Sequence, residues 1–173
     1  MQSPLDKDFL EKLNQNIGVA HKVCAIYFSA SDEREDVFQD MMYQLCRSYP
    51  RFQGTAKFST WMYRVCLNTA LTSLRKNKHK ESGPITYEHQ QIADEGSDPQ
   101  HESMKQLLEA IERLSPINKA VILLYLEDFR YEEIANITGL TKSNVSVRLV
   151  RIKKELESQL VKRTNTTNKA THG

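Results

Sequence analysis

The stretch Tyr131-Glu132-Glu133-Ile134-Ala135-Asn136-Ile137-Thr138-Gly139-Leu140-Thr141-Lys142-Ser143-Asn144-Val145-Ser146-Val147-Arg148 decides the fold of this chain. It reads as two short helices joined by a sharp turn. Ile134 and Ala135 give the first helix a small apolar contact, Gly139 supplies the positive φ that the turn needs, and Leu140 anchors it. Thr141 is placed to cap the second helix. Val145 and Leu149 then face inward one turn apart, leaving Lys142, Ser143, Asn144, Ser146 and Arg148 outside or flanking. Such a helix fits the major groove of DNA. Asn, Ser and Lys near its N-terminus reach base edges, while Arg148, Arg151, Lys153 and Lys154 meet phosphates. An amphipathic hairpin with a solvated basic face is the plainer alternative, which turn spacing and charge sign together disfavour.

Upstream of this pair, Ser115-Pro116 sets an N-cap before a proline at the first helical position. The helix that follows carries Ile117, Val121, Leu124 and Tyr125 toward a core, and Met104, Leu107, Leu108, Ile111 and Leu114 mark another before it. Residues 80–101 hold Gly, Pro, Ser and acids without helical periodicity and read as a linker. Downstream, residues 162–173 have almost nothing apolar and read as a disordered tail.

Before the linker, three helices form a first domain. One is expected from Asp8 to Phe28 with Phe9, Leu13, Ile17, Ala20, Cys24 and Tyr27 on its inner face. A second opens on a capping sequence at Ser31, carries Val37, Met41 and Leu45 inward with Phe38 and Met42 beside them, and closes at Pro50. After a tight loop at Arg51–Thr55, a third runs from Lys57 through Trp61, Val65, Cys66, Thr69 and Leu74 to about Lys78. The expectation is an all-α chain of two small helical domains, at 5–79 and 102–161.

The loop and third helix also interleave rings with cations: Arg51, Phe52, Gln53, Gly54, Thr55, Lys57, Phe58, Ser59, Thr60, Trp61 and Arg64. That composition suits single strands, because unpaired bases stack on aromatic faces while cations hold the backbone, at roughly 1–3 kcal/mol per stacked base. Periodicity alone would put Phe58, Trp61 and Val65 in the core instead, so the loop residues are the better candidates.

Charge is segregated along the chain. Residues 1–80 carry 12 basic and 8 acidic residues (+4), residues 81–138 carry 4 and 12 (−8), and residues 139–173 carry 8 and 2 (+6). Two positive regions able to meet phosphate flank a negative one. The odd set Cys24, Cys46 and Cys66 lies inside apolar helical patterns without C-x-x-C spacing, and the five histidines are scattered, so buried thiols are expected and no metal or other cofactor. No apolar run approaches the roughly 18–20 residues of a membrane span. The start lacks the basic-then-apolar order of a secretory signal, so a cytoplasmic protein is expected, without direct membrane insertion. No paired carboxylates in catalytic context, phosphate-cradling glycine loop or nucleophile with a base partner argues for an enzyme.

The order and separation of the two motifs resemble the extracytoplasmic-function sigma factors of the sigma-70 family, over about residues 8–160. The resemblance implies that the first domain is region two and the second region four. It implies a promoter-recognition subunit that binds core RNA polymerase. Asp36, Gln39 and Asp40 match the family's D-x-x-Q-[DE] stretch and would dock on the β′ clamp helices. Phe52, Gln53, Gly54 and Thr55 correspond to the loop that captures a flipped base of the minus-ten element. Phe58, Ser59, Thr60, Trp61 and Arg64, with Lys57 before them, correspond to the melting segment.

Asn68, Arg75 and Lys76 match the family's N-x-x-x-D-x-x-R helix, with Thr72 where Asp is common. Minus-thirty-five recognition would fall to Thr141, Lys142, Ser143, Asn144, Ser146, Val147, Arg148, Arg151 and Lys154. Ser146 and Val147 replace a frequent Lys-Ser pair, so the promoter sequence read by this helix is its own. Ile122 and Leu126 would pack on the β flap. The resemblance also implies an anti-sigma factor that holds the polymerase-binding faces. The competing reading is a free-standing helix-turn-helix regulator, which leaves the loop and the basic aromatic helix without a role.

Overall fold

The computed structural model describes residues 6–80 and 99–170. Within them lie helices α1 (Lys7–Asn16), α2 (Gly18–Tyr27), α3 (Ser31–Ser48), α4 (Phe58–Lys80), α5 (Pro99–Glu112), α6 (Pro116–Leu126), α7 (Tyr131–Thr138) and α8 (Lys142–Ala170). A 3-10 turn at Tyr49–Arg51 follows α3, and no strand occurs among the described residues. The chain divides into two compact units, Met1–Gln91 and Ile92–Gly173. Residues 81–98 of the expected linker and 171–173 of the expected tail lie outside the described residues.

In the first unit α4 packs against both α2 and α3. The buried face of α2 is Val19, Ala20, Val23, Cys24 and Tyr27, and that of α3 is Val37, Met41 and Leu45. Burying each of the larger side chains stabilises by about 1.5–3 kcal/mol.

Three expectations shift here. The single helix from Asp8 to Phe28 is two, because poor helix formers Asn16 and Gly18 flank Ile17. Around it the ladder changes from four-residue to three-residue spacing, with Ile17 N–H donating to the Asn14 carbonyl at 3.5 Å and Ala20 N–H to the Ile17 carbonyl at 3.1 Å. Second, α3 takes Ala30 rather than Ser31 as its extended N-cap and has no side-chain cap; the Arg34 guanidinium instead donates to the Ser29 carbonyl. Third, the inward residues of α4 are Met62, Tyr63, Cys66, Leu67 and Ala70, whereas Phe58, Trp61 and Val65 are half-buried. Packing on two helices widens the inner face and rotates it away from the stripe that a single partner would select.

In the second unit the core gathers Ile111 and Leu114 from α5, Val121 and Leu124 from α6, Ile134 and Ile137 from α7, and Val145, Leu149, Ile152 and Leu156 from α8. Helix α6 packs against both α7 and α8, so Ala120–Leu124 are buried without interruption. Ile122 is therefore a core residue, only 3% exposed, and not part of a docking surface; Leu126, at 55%, is exposed. Met104 and Leu108, expected inward, are both more than half exposed, because α5 meets α8 through its C-terminal part, where Ala110, Ile111 and Leu114 are buried. Finally, α8 continues to Ala170, past Lys162 where the tail was expected to begin. Extending an established helix gains one hydrogen bond per residue fixed, so a polar segment can follow a well-packed one.

Candidate nucleic-acid interfaces

The first candidate surface is built on a cluster of rings. Phe9 from α1, Tyr49 and Phe52 around the 3-10 turn, and Phe58 and Trp61 from the first turn of α4 pack together. Ring centroids lie 4.3 Å apart for Phe9–Tyr49, 5.0 Å for Phe52–Trp61 and 5.2 Å for Phe58–Trp61. Tilted and edge-on pairs at these separations hold each other beyond their area burial. Phe9 is fully buried, while Phe52, Phe58 and Trp61 each keep part of their surface open.

The cluster also has a polar fastening. The Tyr49 hydroxyl donates to Asp8 at 3.1 Å, and Lys12 donates to the same carboxylate oxygen at 2.7 Å. The Lys12 ammonium holds the Asp8 carboxyl below its usual value, and burial, with Asp8 beside it, pushes the Tyr49 hydroxyl up, so Tyr49 remains a donor.

Held between the 3-10 turn and α4, the segment Gln53-Gly54-Thr55 stands exposed, followed by exposed Lys57. Gly54 has φ +69°, and a Cβ there would meet nothing within 4 Å, so glycine serves the backbone conformation rather than space. Ser59 and Thr60 are half-buried. Along α4 the exposed residues Arg64, Asn68, Thr72 and Arg75 recur at intervals of four, four and three, which places them on one face, with exposed Lys76 adjoining. Sequence reading found these side chains but missed Asp8 and Tyr49 and their role in fixing the loop.

On α3, Asp36, Gln39 and Asp40 are all exposed, with Val37 and Met41 buried behind them. Tyr43, three residues past Asp40 and 61% exposed, extends this acidic face with a ring that the sequence reading did not single out.

The second surface is the helix pair α7–α8. The Arg130 N–H donates to the Glu133 carboxylate at 2.9 Å, closing the start of α7. Gly139 ends it with φ +75° and donates its N–H to the Ala135 carbonyl at 2.9 Å. The Thr141 hydroxyl accepts the Asn144 N–H at 3.2 Å, the N-cap bond expected from sequence. Lys142, Ser143, Asn144, Ser146, Val147, Arg151 and Lys154 are exposed. Lys142 pairs with Glu132 of α7, which holds the Glu132 carboxyl below its usual value.

Two cations are less free than the sequence suggested. Arg148 is half-buried: its Nε donates to Asn144 Oδ1 at 2.9 Å and its Nη1 to Asn118 Oδ1 at 2.8 Å, so it ties α8 to α6. Lys153 donates to the Tyr125 hydroxyl at 2.9 Å with its Nζ 4.2 Å from that ring's centre. Among the described residues no group of three His, Cys, Asp or Glu is placed to hold a metal, and no helix is long and apolar enough to cross a membrane.

Two helical units, one with a loop-and-helix surface of rings and cations and one with a helix-turn-helix, define a DNA-binding protein of bipartite design. The chain belongs to the sigma-70 family of RNA polymerase sigma factors, and within it to the extracytoplasmic-function type. Residues 13–80 match the family described as Sigma-70 region 2, and residues 104–156 match Sigma-70, region 4. It is 28% identical over 143 residues to RNA polymerase sigma factor SigV of Bacillus subtilis, covering 82% of this chain and 84% of that one. It is 26% identical over 155 residues to the ECF RNA polymerase sigma-E factor of Escherichia coli K12, covering 81% of each. Among solved structures it resembles the sigma factor RpoE of Bartonella quintana, in complex with the anti-sigma factor NepR (TM-score 0.70, 20% identity, 90% of this chain and 98% of that one). It also resembles CnrH in complex with the cytosolic domain of CnrY (TM-score 0.62, 16% identity, 88% and 86%).

Proposed function

We propose that this chain binds core RNA polymerase and directs it to promoters through two DNA contacts, one made by each unit. The observation that carries the reading is the loop Gln53–Thr55, fixed on the ring cluster at the head of α4 and continued by Arg64, Asn68 and Arg75 on a single face. A surface that offers ring faces and cations together gains from unpaired bases as well as from phosphates. At roughly 1–3 kcal/mol per stacked base it offsets the few kcal/mol that each unstacked duplex step costs.

In this reading Phe52–Thr55 receive a base of the minus-ten element, and Lys57–Arg64, Asn68, Arg75 and Lys76 hold the opened strand. Thr141–Arg148, with Arg151 and Lys154, meet the minus-thirty-five element in the major groove. Domain limits at 5–79 and 102–161 follow the same division. Asp36, Gln39 and Asp40 face the β′ clamp helices, and exposed Leu126 meets the β flap. Polymerase supplies the catalysis, and none comes from this chain. Its partners place it in the cytoplasm, and an anti-sigma factor would cover the polymerase-binding faces.

Run-off transcription from a promoter library, with core polymerase alone and with this chain added, tests the proposal. Start sites that need the chain, and that weaken in Arg64→Ala and Arg151→Ala variants, are expected. Tight operator binding without polymerase, and no stimulated transcription, would replace the proposal with a free-standing regulator.

A further inference from the structure

The outward face of α8 carries apolar side chains in the middle of its polar residues. Val145, Leu149, Ile152 and Leu156 are buried and define the direction of the core. At about 3.6 residues per turn, Val147 points about 200° away from Val145, straight out of the domain. It is 49% exposed, with Ser143 one turn before it and exposed Val150, Arg151 and Lys154 in the turns after. About half of its surface is open, and cations flank it along the face. Val147 is the sixth residue of α8, and in a helix-turn-helix the N-terminal part of the recognition helix contacts base edges in the major groove. Thymine is the one base that presents an apolar group there, its C5-methyl.

We infer that Val147 reads a thymine methyl in the upstream promoter element. The inference rests on the minus-thirty-five role proposed for α8. The contact is van der Waals burial of two apolar groups and needs no donor or acceptor from the side chain. Arg148 strengthens the assignment by geometry: its tether to Asn118 turns it toward α6, which leaves Val147 rather than Arg148 at the centre of the outward face.

The test uses holoenzyme assembled from core polymerase and the full chain, on a promoter recovered from a random-sequence library. Each thymidine of the upstream element is replaced singly by deoxyuridine, which lacks only the methyl group. Wild-type holoenzyme is expected to lose about fourfold in affinity at one or two positions, the factor that one buried methyl is worth. The Val147→Ser variant is expected to bind thymine and uracil promoters alike there, and Val147→Ile to keep the preference. If no position distinguishes the two bases, or if the preference survives in Val147→Ser, the inference is wrong while upstream recognition stands. If binding does not depend on the upstream element at all, the minus-thirty-five role falls, and the inference with it.

Discussion

The loop of the first unit and the turn of the second, the two segments proposed to meet nucleic acid, are held by different means. Gln53–Thr55 is flanked by a cluster of rings, one of which, Phe9, packs on Tyr49 and Phe58 from some forty residues earlier in the chain. The turn at Gly139 is anchored by its own neighbours, with the Gly139 N–H donating to the Ala135 carbonyl and the Asn144 N–H donating to the Thr141 hydroxyl, all within ten residues. A locally closed turn tolerates changes elsewhere in its domain. A loop held at long range inherits any disturbance of the helices that hold it.

The largest effect that would break this comparison is expected from Phe9→Ala. Removing a fully buried ring costs about 3–5 kcal/mol, and hydrogen exchange should rise at residues 52–57 as well as in α1. Unchanged exchange in the loop would show that the rings do not hold it. Next, Leu149→Ala is expected to cost about 2–5 kcal/mol and to speed exchange in α7 and α8 while the first unit keeps its protection. Upstream-element binding should fall in step.

The two positive-φ glycines sharpen the contrast further. Neither leaves a Cβ anything to strike within 4 Å, so alanine brings backbone strain alone, about 1–2 kcal/mol where the conformation is enforced. At Gly139 the bond to Ala135 enforces it, and the thermal midpoint should drop. At Gly54 the rings hold flanking Phe52 and Phe58 and not the exposed residue itself, so Gly54→Ala should lower the midpoint less and slow open-complex formation as well.

The smallest effects concern the thiols of the first unit. Burial pushes Cys66 up to about 12 from 9.0 and raises Cys24, whereas Cys46 is only half-buried. Alkylation of the native protein should therefore mark Cys46 first. The unfolded chain ionises Cys66 near 9.0 and the native one does not until about 12. Between those values the native state binds more protons, so stability holds below this window and falls as pH rises through it. Urea midpoints at about pH 8 and about pH 10 check the sign, and Cys66→Ala should flatten the difference.

The same contrast explains what could be read in the residues. The helix-turn-helix is a local object: the capping hydroxyl, the turn glycine and the inward pair Val145 and Leu149 all sit within a few residues of each other, and each lies where the pattern put it. The ring cluster needed contacts between residues some forty positions apart, such as Asp8 and Tyr49, which periodicity does not report. Ile122 was misplaced for a related reason. How much of a helix is buried depends on how many helices cover it, and α6 packs on both α7 and α8. Met104 and Leu108 show the converse, since an apolar stripe signals that a helix face could be covered and not that its own unit covers it.

The tether of Arg148 between Asn118 and Asn144 has one more consequence. A free arginine on a protein surface carries about 2 kcal/mol of rotamer entropy, most of which is lost when it is pinned. Here that ordering happens as the domain folds, before any DNA arrives, so it does not fall on association. The same bond uses the side-chain oxygen of exposed Asn144 as acceptor and leaves its amide group as a donor. The helix thus carries its arginine already immobilised, with a donor held one turn before it.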